Sequence, residues 1–226
     1  MNLIRLVADM MHLASIIILL LKIKKSRSCS GISLKSQALY AIVFLTRYLD
    51  LFTDFVSVYN SCMKAFFILS SLYTVYLIKI RYKPSYDATL DTFRIEYLLG
   101  GSIILGLVFT SKYTIIEVLW SFSLWLESVA ILPQLFMLQK TGEAETITTH
   151  YLFALGAYRG LYTINWIYRH FYEKHSTDWI VWAAGILQTA LYSDFFYIYY
   201  NKVIKGAKFE LPNRVSIYTH PLTHSR

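Results

Sequence analysis

The chain alternates long apolar runs with short polar connectors, and the apolar residues come in blocks rather than in the amphipathic weave of a soluble helix. Seven blocks are read, over residues 3–21, 34–54, 60–79, 95–112, 116–138, 150–169 and 179–200. Each is near the roughly 20 residues that a helix needs to cross a bilayer. The predicted fold class is therefore an all-α membrane protein with seven transmembrane helices. The first block lacks a basic flank and a small-residue cleavage site, so it reads as the first span and not as a removable leader.

Among the ionisable side chains that interrupt the blocks, eleven stand out, mostly at helical spacing. Arg5, Asp9 and His12 stand at i, i+4, i+7 in the first block, and Arg47, Asp50 and Asp54 at i, i+3, i+7 in the second. Glu117 and Glu127 lie in the fifth, Arg159 and Arg169 in the sixth, and Asp194 in the seventh. A charge at mid-membrane costs about 2.5–3.5 kcal/mol on insertion scales, so such residues face a bundle interior and mark function. Aligned on single helix faces, they predict a polar chamber walled by helices.

Composition agrees. Of 226 residues, 56% are hydrophobic, 17% aromatic and only 16% charged, against about 25% charged in an ordinary soluble domain. The net charge of +8 does not indicate nucleic acid, because the basic residues cluster in connectors. Lys22, Lys24, Lys25, Arg27 and Lys35 lie between the first two spans, and Lys79, Arg81, Lys83 and Arg94 between the third and fourth. By the positive-inside rule the amino terminus is exoplasmic and the carboxyl terminus cytosolic. Lys64, Lys112 and Lys174 are the few basic residues near the exoplasmic connectors. Cys29 and Cys62 then fall on opposite sides and are not expected to pair.

This orientation puts Arg5, Arg47, Asp50, Asp54, Glu117, Trp120 and Arg169 toward one exoplasmic mouth, with His12, Glu127, Tyr158 and Arg159 near the floor. Tyr158, Tyr162, Asn165, Trp166 and Arg169 share one face of the sixth span. A faint internal repeat pairs Ser30-Gly31-Ile32-Ser33 and Arg47-Tyr48 with Thr141-Gly142-Glu143-Ala144 and Tyr158-Arg159 at similar separation. It suggests two parallel three-helix units joined by a linker helix, an arrangement found in transporter folds.

Several stretches resemble one family. Arg-Tyr-Leu-Asp-Leu-Phe (47–52), the block 125–137 with Leu132-Pro133-Gln134, Lys140 to Tyr151, the loop 27–33 and Ser-Asp-Phe-Phe-Tyr (193–197) are similar to the KDEL receptor, or ER lumen protein-retaining receptor, family. Leu132-Pro133-Gln134 also resembles the PQ-loop motif of SWEET-like transporters. The resemblance implies a receptor that binds the C-terminal Lys/His-Asp-Glu-Leu signal of lumenal ER proteins in the acidic Golgi and releases it in the neutral ER. Arg5, Arg47 and Arg169 would hold the peptide's three carboxylates, bidentate geometry being the particular strength of arginine. Asp50 and Glu117 would receive its Lys or His against the wall of Trp120, and Tyr48, Tyr162, Asn165 and Trp166 complete the expected lining. Asp54 stands where a small polar residue is commoner.

His12 is the natural pH sensor, since the unperturbed pKa of histidine, about 6.5, lies between the two compartments. The resemblance has it rearrange with Glu127 and Tyr158. It also implies that Asp194 couples occupancy to a COPI coat signal at Lys202, Lys205 and Lys208, with Glu143 and Glu145 nearby. Residues 1–212 would form the receptor domain and 213–226 a disordered cytosolic extension.

Blander readings stand beside these. Each arginine could be neutralised within the fold by Asp9, Asp50 or Asp54; Trp120 could be an interfacial anchor; Arg159 and Asp194 could be structural pairs; the lysines could be ordinary cytosolic anchoring. The rival class is a proton-coupled PQ-loop transporter. An enzyme is disfavoured, with no His-Glu-x-x-His, nucleophile elbow or cysteine metal cluster. No cofactor is expected.

Overall fold

The computed structural model describes residues 3–52, 55–141, 146–172 and 179–199. Asp54, Glu143, Glu145, Lys174, Lys202, Lys205, Lys208 and the extension 213–226 lie outside the described residues. Asp194 falls on a described helix, but its side chain lies outside.

The described residues form helices and connecting turns, with no strand among them. They are α1 (Leu3–Ser26), α2 (Leu34–Arg47), α3 (Val58–Tyr76), α4 (Ile95–Val108), α5 (Ile115–Val129), α6 (Leu132–Thr141), α7 (Thr146–Tyr172) and α8 (Trp179–Tyr199). Each predicted span has its helix, and two depart from expectation. The second span stops at Arg47 and turns through a short 3-10 segment, Leu49–Phe52, instead of running on to residue 54. The fifth is broken into α5 and α6. Pro133 lacks the N–H that would bond the Val129 carbonyl, and its ring crowds that carbonyl, so α5 ends at Val129.

Among the described residues three stretches are long and apolar enough to cross a membrane: Leu3–Ser26, Val58–Arg81 and Ile115–Thr141, the last counted through the break. Ile95–Val108 is apolar but shorter. Many large apolar side chains, such as Ile103, Ile104 and Leu107 on α4, lie on the outside. In water that would be a liability; against acyl chains it is the expected exterior.

Side-chain pairs fix the packing. Asp9 meets Tyr162 and His12 meets Tyr158, so α1 and α7 run antiparallel. Arg47 meets Ser123 while Ser36 meets Gln134, so α2 runs antiparallel to the α5–α6 pair. Where α4 returns along α5, a Cβ on Gly106 would stand 2.8 Å from the Phe122 Cα and 2.9 Å from its nitrogen. Only a residue without a side chain allows that approach.

At the end away from Arg5 a buried polar network clamps the bundle. Gln134 has no exposed surface; its carbonyl accepts from Ser33 N–H at 2.8 Å and its amide donates to the Gly31 carbonyl at 2.8 Å. Ser33 caps α2 by accepting from Ser36 N–H and donates to Asp91 at 2.8 Å. Tyr86 also donates to Asp91, at 2.8 Å, and burial together with that carboxylate pushes its phenol well above the usual range, so it remains a donor. The break in the fifth span thus frees Gln134 to tie α6 to the start of α2. Removing it strands the buried Ser33 N–H and the partly buried Gly31 carbonyl, a buried group of this kind costing about 1–3 kcal/mol. Gln134→Ala is expected to lower the unfolding temperature in detergent by about 5 °C; a shift below about 1 °C would show the clamp to be idle.

Cys29 is buried and Cys62 exposed, and both are free thiols.

Candidate functional site

Inside the bundle a cavity of about 380 Å³ is lined by Arg5, Arg47, Arg159 and Arg169, with Glu127 as the lining carboxylate. Its lining also holds every other expected member of the sixth-span face, Tyr158, Tyr162, Asn165 and Trp166. A second cavity of about 630 Å³ is lined by Asp50, Lys64, Glu117 and Trp120 and shares Arg47, Tyr48 and Trp120 with the first. The expected ligand-binding residues therefore converge on two adjoining chambers.

The floor of the first is built from three helices. Arg47, at the last turn of α2, donates Nη1 to Glu127 and Nε to Ser123 Oγ at 3.0 Å. Arg159 approaches the same carboxylate from α7 with Nη1 at 3.5 Å, and Tyr158 donates its hydroxyl to the other oxygen. Glu127 is thus shared by two guanidinium groups and a phenol at 1% exposure, a degree of burial that a carboxylate reaches only when paired. Arg47 Nη2 and Arg159 Nε and Nη2 are buried without a hydrogen-bond partner. Desolvated donors of this kind are costly unless something else completes them.

His12 enters the floor from α1. Its ring stacks on Tyr158 at 4.0 Å between centroids and 5° between planes, and on Phe67 at 4.5 Å. A change in the charge of His12 would therefore be felt directly by the phenol that holds Glu127. The three expected switch residues are one contact unit.

Nearer the entrance Asp9 accepts from Tyr162 and, at 3.1 Å, from Tyr59. Arg159 also lies over the Trp166 ring, 5.2 Å from its centroid. Glu117 sits in the first turn of α5, whose N-cap Thr114 accepts from the Glu117 amide at 3.3 Å.

One reading is corrected. Among the described residues the internal neutraliser of Arg47 is Glu127, not Asp9 or Asp50. Asp50 pairs with Lys64, whose Nζ lies 2.6 Å from Oδ2. Sequence reasoning missed Lys64 as a site residue, treating it as a connector charge. A lysine on an otherwise apolar helix requires a carboxylate partner, and that was the available signal. Ser123 and Tyr59 were also missed, and nothing in their spacing marks them.

Comparison with known proteins adds an independent line. The profile of the ER lumen protein retaining receptor family matches residues 28–169. The ER lumen protein-retaining receptor of Drosophila melanogaster is 58% identical over 212 residues, covering 94% of this chain and 100% of the relative. ER lumen protein-retaining receptor 2 of Gallus gallus is 59% identical and that of Homo sapiens 57% identical, each over 215 residues with the same coverage. With a family match over more than half its length and relatives aligned from end to end, the chain belongs to the ER lumen protein-retaining receptor family.

Proposed function

We propose that this chain is a retrieval receptor, clasping the C-terminal Lys/His-Asp-Glu-Leu signal of lumenal ER proteins in the acidic Golgi and releasing it in the neutral ER. The observation that carries this reading is the cavity of about 380 Å³ lined by four arginines against one carboxylate. A tetrapeptide with two acidic side chains and a free terminus brings three carboxylates, and Arg5, Arg47 and Arg169 are their partners. Burial strengthens such charge-assisted contacts. The peptide's own cation enters the adjoining chamber beside Glu117 and Trp120.

Acid favours binding for a reason of sign. A proton on His12 adds positive charge beside the floor, and ligand carboxylates hold that proton more tightly. By linkage the ligand is then bound more tightly as pH falls, at most about tenfold per pH unit for one proton. Tyr158 and Glu127 relay the change to Arg47.

The membrane setting follows the topology read from the connectors: amino terminus lumenal, carboxyl terminus cytosolic, two parallel three-helix units joined by α4. Asp194 couples occupancy to the cytosolic end, where Lys202, Lys205 and Lys208 meet the COPI coat. The competing transporter reading requires a path through the protein. On the far side of His12 a cavity lined by Gln37, Tyr40 and Tyr151 among others has a volume of about 20 Å³, room for about one water. That narrowness, together with the Gln134 clamp, supports a one-sided receptor.

The test is binding of a labelled Lys-Asp-Glu-Leu peptide at about pH 5.5 and about pH 7.4, beside its C-terminally amidated form. The free acid is expected to bind more tightly at the lower pH, and amidation to weaken it by at least about tenfold. Equal retention of the amide would sink the reading.

A further inference from the structure

The second cavity holds a cation of the protein's own. Lys64 projects from α3 with only 8% of its surface exposed, and its Nζ lies 2.6 Å from Asp50 Oδ2. Asp50, by contrast, keeps 37% of its side chain accessible, so the pair stands at the wall of the chamber and is seen from within it. The other charges of that lining are Arg47, already engaged by Glu127, and Glu117, which forms no ion pair with any described residue. Counted in this way, the described lining presents one unit of negative charge to an incoming cation, where two carboxylates alone would present two.

We propose that Lys64 is a specificity-determining residue: a built-in counter-ion that cancels Asp50 and leaves Glu117 to read the charge of the ligand's fourth-from-last residue. The inference rests on the receptor reading above and refines it. A receptor that must serve ligands led by a full cation, Lys, and by a titrating one, His, gains from a site whose cation preference is moderate. Lys64 sets that moderation by its charge, and its nearly buried stem keeps the charge in place whether or not ligand is present.

The test compares the affinities of Lys-Asp-Glu-Leu and Ala-Asp-Glu-Leu peptides on the same protein preparation, so that any loss of folded receptor divides out of the ratio. Against the unmodified chain, Lys64→Met is expected to raise the preference for the lysine-led peptide about five- to tenfold, the effect of one uncancelled charge a few ångströms away in a partly hydrated site. Lys64→Arg, which keeps the charge, is expected to leave the ratio within about twofold. Lys64→Gln serves as the second neutral variant where methionine is not tolerated. A ratio in the neutral variants that stays level or falls would overturn the proposal, showing that Lys64 orients Asp50 toward the ligand instead of cancelling it. If the unmodified protein binds neither peptide, the receptor reading itself fails, and that outcome is distinct from an unchanged ratio.

Discussion

Arg47→Ala is expected to weaken peptide binding by more than about a hundredfold. The side chain lies on the wall common to both chambers, so a single truncation removes a proposed ligand partner from one and a boundary from the other. It also takes from Glu127 its closest guanidinium and leaves Arg159, at 3.5 Å, as the remaining cation. Breaking one member of a buried, hydrogen-bonded charge pair typically costs about 2–5 kcal/mol, which covers the expected factor. Arg47→Lys keeps the charge but loses the fork that reaches Ser123 and Glu127 together, so an intermediate loss of about tenfold is expected. Titration of the labelled peptide against each variant decides. Affinity of Arg47→Ala within about threefold of the parent would place the ligand elsewhere.

The second large effect concerns a residue that is in the lining of neither chamber. Gly106→Val is expected to lower both the unfolding temperature and the peptide affinity, because any side chain there meets the backbone of Phe122. The helix that must retreat, α5, carries Glu117, Trp120, Ser123 and Glu127, so a displacement of half an ångström or more disturbs both chambers at once. Overpacking of this kind costs about 1–3 kcal/mol, and the branched side chain belongs at the upper end. Gly100→Ala on the same helix is the matched control. A Cβ there meets nothing within 4 Å, and exchange of glycine for alanine in a helix interior gains about 0.5–1 kcal/mol. Thermal unfolding in detergent and peptide titration of the pair, run together, test the argument; equal behaviour of the two variants would refute it.

How far the sequence could be read depends on what kind of information periodicity carries. It reports which residues share a face of one helix, and on that basis Arg5, Asp9 and His12 were placed together, as were Tyr158, Tyr162, Asn165 and Trp166. Both faces line the chamber or, for Asp9, bond a residue that does. Periodicity does not report which helix stands opposite. The partner of Arg47 stands 80 residues away in the chain, beyond the reach of spacing, which offers only nearer acids. The break after Val129 was written in Pro133, yet an apolar run of full length hid it. Gln134 is the converse case: the motif could be matched to a known pattern, but its bonds to Gly31 and Ser33 depend on long-range packing that no local rule supplies.

On the proposed reading, the ring stack of His12 on Tyr158 and Phe67 forms the inner end of the arginine chamber. A dead-end socket can be entered by a chain that stops, whereas a segment that continues must double back through the same doorway. If the proposed reading holds, the same four residues placed in the middle of a cargo protein would pass unnoticed, and an address is read only when it is the last thing written.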